Sequence, residues 1–234
     1  MKSLSNFINE SLIDEEDMQE IYDFINDNYK FVSSQGDKFE DYENKTTVRK
    51  ESGIYIIDFD GVITPNEDIE YLTNDLFNWG EVAIFELYNC NKLKSLVGAP
   101  KSITDLFRVE KCNGLSDLVG APQKVVDFKC MKCDKISSFN GFPKVVYGDV
   151  QIEDLPKLTS LRGMPEQLNG DLIIDTLDGL TDFNGLPRFV KGDFTCMYCK
   201  NIKSSNGLPK SVKGDFVVTS CGDLPRMEEL PERN

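Results

Sequence analysis

Apolar residues recur with a period of 22 positions through the C-terminal two-thirds of the chain. Seven large apolar residues mark the start of each copy: Phe85, Phe107, Phe128, Val150, Leu172, Phe194 and Phe216. Further apolar residues follow two, five, eight and eleven positions later, with Ser205 as a polar exception, so a strand-like alternation gives way to steps of three. A fixed period of this length is typical of a solenoid, whose stacked coils bury a shared core.

Glycine marks two corners of each unit. The first corner reads Gly, an apolar residue and Pro, as in Gly141-Phe142-Pro143. Pro ends the backbone hydrogen bonding there and keeps the preceding residue extended. The second corner carries Gly-Asp, as in Gly170-Asp171. We expect that glycine to adopt a positive φ and the Asp side chain to accept hydrogen bonds from nearby backbone donors.

These patterns predict a mainly β, single-chain solenoid of about seven 22-residue coils, with a core about 34 Å long at the usual strand spacing. Residues 1–28 predict a short helical segment, in which Asp14 is the N-cap of a second helix. Residues 29–50 are polar and predict a linker. Residues 51–84 hold a strong apolar strand and predict a coil that caps the solenoid of residues 85–234.

The repeats resemble leucine-rich repeats of the short, cysteine-containing bacterial kind through the spacing of Cys90, Leu93 and Leu96, which later units repeat. Lys135–Pro143 and its copies also resemble repeat proteins encoded by large tailed bacteriophages, in which Gly-Asp-Phe and Gly-x-Pro corners alternate. The resemblance implies a leucine-rich-repeat-like solenoid from a phage genome. It implies no particular activity, because such repeats serve many partners.

The first ten residues resemble the N-terminal leaders of internal head proteins of such phages. These leaders are short amphipathic helices that a maturation protease removes by cutting after a Glu, and Ile8, Glu10 and Ser11 match that pattern. The resemblance implies a protein made in the host bacterial cytoplasm and packaged in the virion interior. An ordinary amphipathic helix that docks on the solenoid or on a partner is the alternative.

Charge and composition narrow the function classes. The chain has 26 basic and 40 acidic residues, and its net charge of -14 argues against a nucleic-acid or anionic-membrane surface. It contains neither an apolar run long enough to span a bilayer nor a secretory signal. The seven cysteines are an odd number and predict reduced thiols in a cytosolic chain. Histidine, the commonest general base and metal ligand, is absent.

Two cysteine pairs, Cys130-x-x-Cys133 and Cys196-x-x-Cys199, have the spacing of half zinc sites or of a redox pair. Each sulfur, however, occupies an inward position at which other units carry Val, Ile or Leu. The two pairs are three coils apart, about 14 Å at the strand spacing, which is too far for one zinc ion. We therefore interpret them as buried thiols that act as small hydrophobic residues, and we expect no metal and no cofactor.

The segment Asp58-Phe59-Asp60-Gly61 follows an apolar strand and resembles the nucleophile motif of haloacid-dehalogenase-type phosphatases. The resemblance implies that Asp58 attacks phosphorus, that Asp60 acts as acid and base, and that both help to hold Mg²⁺. That fold needs several further strand–helix units, and the repeats begin about 25 residues later. A short strand end in a capping coil explains the same residues.

The positions between the inward residues of each strand must face solvent, and they vary in chemistry as a recognition surface does. Five apolar residues among them are expected to be exposed near one another, and we predict that they form a partner-binding surface: Met131, Ile173, Met197, Tyr198 and Val217. Neutral variation on a solvated sheet is the alternative.

The sequence thus favours a non-enzymatic protein-binding repeat module that recognises a host or virion protein through its exposed strand ladder, without a small-molecule substrate. Two alternatives stay open. One is a Mg²⁺-dependent phosphatase that uses Asp58 and Asp60, and the other is a structural internal virion protein.

Overall fold

The computed structural model describes residues 14–31 and 38–222. Within these residues one α-helix, α1 (Glu15–Asn28), and one 3-10 helix (Phe39–Lys45) precede the repeats. The described strands are β1 (Tyr29–Phe31), β2 (Thr46–Glu51), β3 (Ile54–Pro65), β4 (Phe77–Tyr88), β5 (Ser102–Ile103), β6 (Leu106–Glu110), β7 (Lys124–Val125), β8 (Asp127–Met131), β9 (Val145–Val146), β10 (Val150–Glu153), β11 (Gln167–Leu168), β12 (Leu172–Asp175), β13 (Phe189–Val190), β14 (Phe194–Met197), β15 (Ser211–Val212) and β16 (Phe216–Thr219).

The longer strands stack side by side, parallel and in chain order, as β3, β4, β6, β8, β10, β12, β14 and β16. Their register advances by one repeat per strand, so that Phe107 lies opposite Phe128 and Phe128 lies opposite Val150. The predicted solenoid is confirmed, as a parallel β-solenoid of about eight coils of about 22 residues. The additional coil begins at β3, in the segment that we expected to cap the repeats.

A second, narrower face is made of two-residue strands that follow the Pro corner of each coil. β5, β7 and β9 continue one ladder that begins at β4, and β11, β13 and β15 form a separate three-stranded sheet. Because each coil contributes one strand to each face, the inward side chains of both faces meet in one core.

The core of the solenoid consists of columns of equivalent residues. Phe107 and Phe128 are completely buried, and their rings stack with centroids 5.4 Å apart. The Phe142 ring contacts Phe128 edge-on from the Pro corner, with centroids 5.0 Å apart. The inward positions predicted from the 22-residue period are buried in the central coils, so the period identified the core correctly.

The N-terminal end of the sheet is covered rather than open. β1 and β2 both pair antiparallel with β3, β1 with its C-terminal end and β2 with its N-terminal end. The interpretation of residues 29–50 as a linker is therefore wrong for the described part of that segment. Phe39, Tyr42 and Val48 are scattered among its polar residues and are buried in the core. The polar composition of the segment gave no sign that these three residues belong to the core.

Helix α1 covers the same end and matches its sequence signals. Asp14 is the N-cap, as predicted, and its carboxylate accepts hydrogen bonds from the N–H groups of Glu16 at 2.9 Å and Asp17 at 3.4 Å. The apolar face of the helix is buried against the cap: Met18, Ile21, Tyr22 and Ile25. The proposed leader, residues 1–10, lies outside the described residues.

In the repeats, positive φ occurs at two corners, neither of which is the Gly-Asp corner. Gly98 and its equivalents at the Gly-x-Pro corner have positive φ, as does the residue directly after each long strand from β4 onward, for example Thr176 at 51° and Tyr198 at 54°. Gly170 and the other glycines of the Gly-Asp corner are not in this region, so the expected positive φ is wrong there. An added Cβ at Gly170 would overlap the side chain of Asp149 in the preceding coil, so close approach explains this glycine.

The aspartates of that corner form a ladder along the solenoid. The Oδ1 atom of Asp127 accepts a hydrogen bond from the backbone N–H of Asp149 at 2.8 Å, and the same contact joins Asp149 to Asp171. Asp171, Asp193 and Asp215 continue it at 2.8 and 2.7 Å. The expected role of these carboxylates as acceptors for backbone donors is confirmed, and the donor belongs to the next coil.

Thr176 tests the strain at the strand ends. A β-branched residue at positive φ is unfavourable, whereas Asn tolerates this region, so Thr176→Asn should raise the free energy of unfolding by about 1 kcal/mol. The Thr176 hydroxyl donates to Asp175 Oδ1 at 2.7 Å, a contact that an Asn amide can replace. In urea denaturation the control Thr195→Asn, on the extended strand β14, should not stabilise. Equal changes in both variants would show that backbone strain at Thr176 is not the cause.

Candidate functional site

The outward residues of the long strands form two rows across the widest face of the solenoid. Strand pairing sets their register, so that Ile173 lies opposite Thr195 and Thr195 opposite Val217, while Asp175 lies opposite Met197. The first row is Glu86, Arg108, Lys129, Gln151, Ile173, Thr195 and Val217, and the second is Tyr88, Glu110, Met131, Glu153, Asp175, Met197 and Thr219.

Charged residues dominate the N-terminal half of these rows, and several neutralise one another. Arg108 Nη1 lies 3.4 Å from Glu86 Oε1, and Lys132 Nζ lies 3.6 Å from Glu153 Oε1. Lys111 donates a hydrogen bond to the Tyr88 hydroxyl at 2.7 Å, which raises the pKa of the lysine. Several charged side chains in this half of the sheet are therefore paired with polar neighbours on the same surface.

The C-terminal half of the rows is mostly uncharged. Four of the predicted site residues lie on or directly after the neighbouring strands β12, β14 and β16, and we call Ile173, Met197, Tyr198 and Val217 the apolar patch. Tyr198 is 51% and Val217 is 41% exposed, whereas Ile173 and Met197 are half-buried. Ile173 and Val217 are two strands apart, about 10 Å, with Thr195 between them.

Met131 does not belong to this patch. It is only 7% exposed, so the expectation that it would face solvent is wrong. It lies in register between Glu110 and Glu153, whose side chains are themselves only 15% and 27% exposed. The crowded row covers Met131, and strand alternation alone could not predict this. Glu153 and Asp175 also separate it from Met197 along the row.

The thiols are gathered in two places along the core. Cys90, Cys112 and Cys133 occupy one inward column in successive coils, and Cys133 Sγ accepts a hydrogen bond from the Cys112 N–H at 3.4 Å. The hydrogen bond between Cys130 and Cys133, together with burial, raises the pKa of the Cys130 thiol. These buried positions agree with the interpretation of Cys130 and Cys133 as apolar residues.

A closer thiol cluster lies at the C-terminal end of the described coils. Cys196 Sγ lies 3.7 Å from Cys199 Sγ and 3.5 Å from Cys221 Sγ, and all three sulfurs lie within 4.8 Å of one another. Hydrogen bonds from Cys196 and Cys199 lower the pKa of the half-exposed Cys221 thiol. The distance between the two Cys-x-x-Cys pairs did not reveal this cluster. The signal that could have revealed it is that Cys221 follows Cys199 by one period of 22 residues.

The Asp58 motif lies inside β3, which continues beyond it to Pro65. The Oδ1 atom of Asp58 accepts a hydrogen bond from the Glu81 N–H at 2.7 Å, and the Oδ2 atom of Asp58 forms an ion pair with Arg49. Asp58, Asp60 and Glu81 line the same shallow, open depression. Among the described residues, the helix α1 and the 3-10 helix Phe39–Lys45 both precede β3. No helix separates the strands that follow β3 in the described residues, so the alternating strands and helices of the phosphatase alternative are not found in that part of the chain.

Comparisons with known proteins found no match to this chain. No protein-family model matches the chain, and neither a curated protein nor a solved structure shows significant similarity to it. Across residues 14–31 and 38–222, no helix has the length and apolar character needed to cross a membrane. The function must therefore be argued from the surfaces and clusters described above.

Proposed function

We propose that this protein is a non-enzymatic protein-binding module that recognises its partner through the apolar patch. The observation that carries the proposal is the contrast along one sheet. The N-terminal half pairs its charges internally, whereas the C-terminal half exposes Tyr198 and Val217 beside Ile173 and Met197. Exposed aromatic and apolar residues that lie together mark contacts more often than isolated ones.

A solenoid face suits this role because its coils are already ordered. The backbone N–H of Tyr198 donates a hydrogen bond to the Thr219 carbonyl of the next coil at 3.2 Å. The backbone beneath the apolar patch is therefore already ordered in the unbound protein. Little conformational entropy would be lost in the module on binding. Tyrosine supplies a large contact area with few rotatable bonds, and we assign Tyr198 as the anchor of the interface.

The setting of this proposal is a phage-encoded protein with a host or virion protein as partner. It rests on the resemblance of the repeat corners and of residues 1–10 to phage proteins, and it stays a prediction. Peptides of this protein in purified phage particles would support a virion setting, and their absence would count against it. No observation favours the phosphatase that would use Asp58 and Asp60.

The test is capture of a partner by purified, tagged protein from a bacterial lysate, quantified by mass spectrometry. The variant Met197→Ser/Tyr198→Ser should reduce recovery of the specific partner at least about tenfold, because truncating an aromatic anchor commonly costs 2 kcal/mol or more. The matched control is Val97→Ser/Val119→Ser. It removes two apolar side chains that are 67% and 46% exposed on adjacent coils at another corner.

The control should retain the partner, and both variants should keep the circular dichroism of the unmodified protein. Equal losses in the two variants would mean that general apolar exposure, not the apolar patch, holds the captured protein. Full recovery with the Met197→Ser/Tyr198→Ser variant would contradict the proposal.

A further inference from the structure

The proposed binding surface does not use the cluster of Cys196, Cys199 and Cys221. We propose that these three sulfurs form a binding site for a single thiophilic metal ion, of the class of Zn²⁺ and Cu⁺. Among the residues that the structure describes, it is the one group of three potential ligand atoms that lie within 4.8 Å of one another.

The sulfur spacing fits one ion. A Zn–S bond is about 2.3 Å long, so two sulfurs on one tetrahedral ion are separated by about 3.8 Å. The separations from Cys196 Sγ are 3.7 Å to Cys199 Sγ and 3.5 Å to Cys221 Sγ. Both are far longer than a disulfide bond of about 2.05 Å. Small side-chain rotations would bring the three sulfurs around one ion without moving the strands.

The surroundings of the sulfurs offer one backbone hydrogen-bond donor and one opening to solvent. The Leu177 N–H donates a hydrogen bond to Cys199 Sγ at 3.4 Å, a contact that stabilises negative charge on sulfur. Cys196 and Cys199 are buried, and Cys221 is half-exposed, so an ion could enter from the Cys221 side. Soft thiolate ligands select Zn²⁺ and Cu⁺ over hard cations such as Mg²⁺. Binding replaces thiol protons by the ion, and those protons are released to solvent.

The other Cys-x-x-Cys pair of the chain provides an internal comparison for this site. Cys130 and Cys133 occupy the same two inward positions as Cys196 and Cys199, but the next coil places Leu155 where Cys221 follows the second pair. The first pair therefore lacks a sulfur in the following coil. Cys112, in the preceding coil, does not complete a group of three sulfurs within 4.8 Å of one another among the described residues. This difference explains why the spacing Cys-x-x-Cys alone did not distinguish the two pairs.

The experiment uses the full chain, reduced and freed of metal by a chelator. Co²⁺ should produce a thiolate-to-cobalt charge-transfer absorption that saturates at one ion per chain and disappears when Zn²⁺ is added. Cys221→Leu should abolish this absorption and leave the fold intact, because Leu155 and Leu177 fill the same position in other coils. Leu155→Cys should add a second ion per chain, because it completes the set at Cys130 and Cys133.

A second variant guards against misfolding. If Cys221→Leu does not fold, Cys196→Val serves instead, since Val109 is buried at the same position in another coil. Binding of Cu⁺ without Zn²⁺ or Co²⁺ would identify Cu⁺ as the ion and support the site. Binding of no ion, binding undiminished in Cys221→Leu, or air oxidation of Cys196 and Cys221 to a disulfide that Zn²⁺ does not prevent would overturn the proposal.

Discussion

Replacing Phe128 by alanine is expected to lower the free energy of unfolding by about 3–5 kcal/mol. Its ring is completely buried, stacks on Phe107 at 5.4 Å and meets Phe142 at 5.0 Å, so the truncation would leave a cavity between rigid neighbours. Neighbouring coils fix the backbone on both sides through the β6–β8 and β8–β10 ladders, which limits collapse around the cavity. Chemical denaturation at equilibrium measures the change.

Lys129 provides the matched control for Phe128. It is the next residue on β8, points outward and is half-exposed. Lys129→Ala should change the free energy of unfolding by less than about 0.5 kcal/mol. Similar losses for Phe128→Ala and Lys129→Ala would mean that the inward and outward faces of the sheet have been assigned wrongly.

Replacing Gly170 by alanine should lower the free energy of unfolding by about 3 kcal/mol or more. The new Cβ would overlap Asp149 Oδ1 and lie 2.5 Å from the Gly148 carbonyl oxygen, which is part of the backbone of the preceding coil. Relief would require the two coils to separate locally and would break the hydrogen bond from the Asp171 N–H to Asp149. Thermal and urea unfolding of the purified variant measure the loss.

Gly148 gives this prediction a sharper form. An added Cβ at Gly148 would overlap the Asp127 side chain, but the nearest backbone atom is the Val126 oxygen at 3.3 Å. Asp127→Ala should therefore rescue part of the destabilisation by Gly148→Ala, although it removes the hydrogen bond to Asp149. Asp149→Ala should not rescue Gly170→Ala, because the backbone contact remains. Additive changes in both double variants would contradict the close-approach explanation.

The 22-residue period predicted the fold because each inward position must pack on its equivalent in the next coil. Phe107, Phe128 and Val150 are in register for this reason, and so are the cysteines that replace aliphatic residues inside the core. Asp14 was predictable as an N-cap because the signal is local. Periodic and local features can be predicted from a single sequence, because the spacing of residues along the chain determines which of them become neighbours in the structure.

Features that depend on contacts between particular side chains could not be predicted in the same way. Phe39 and Tyr42 are isolated aromatic residues in a polar segment, and only packing on the cap shows them to be core residues. Met131 is outward by alternation but covered by its neighbours in the row. The role of Gly170 follows from the approach of Asp149, which requires knowledge of how tightly the coils stack at that corner.

The most direct test of the central claim, that the partner binds at the apolar patch, is site-specific photo-crosslinking. A photoreactive phenylalanine analogue is placed at Tyr198 or, as control, at Tyr147, an aromatic residue of similar exposure on another part of the coil; the two are 51% and 55% exposed. We expect the probe at Tyr198 to crosslink the captured partner in high yield and the probe at Tyr147 to give little or none. Crosslinking at Tyr147 alone, or with equal yield at both positions, would contradict the assignment of this surface.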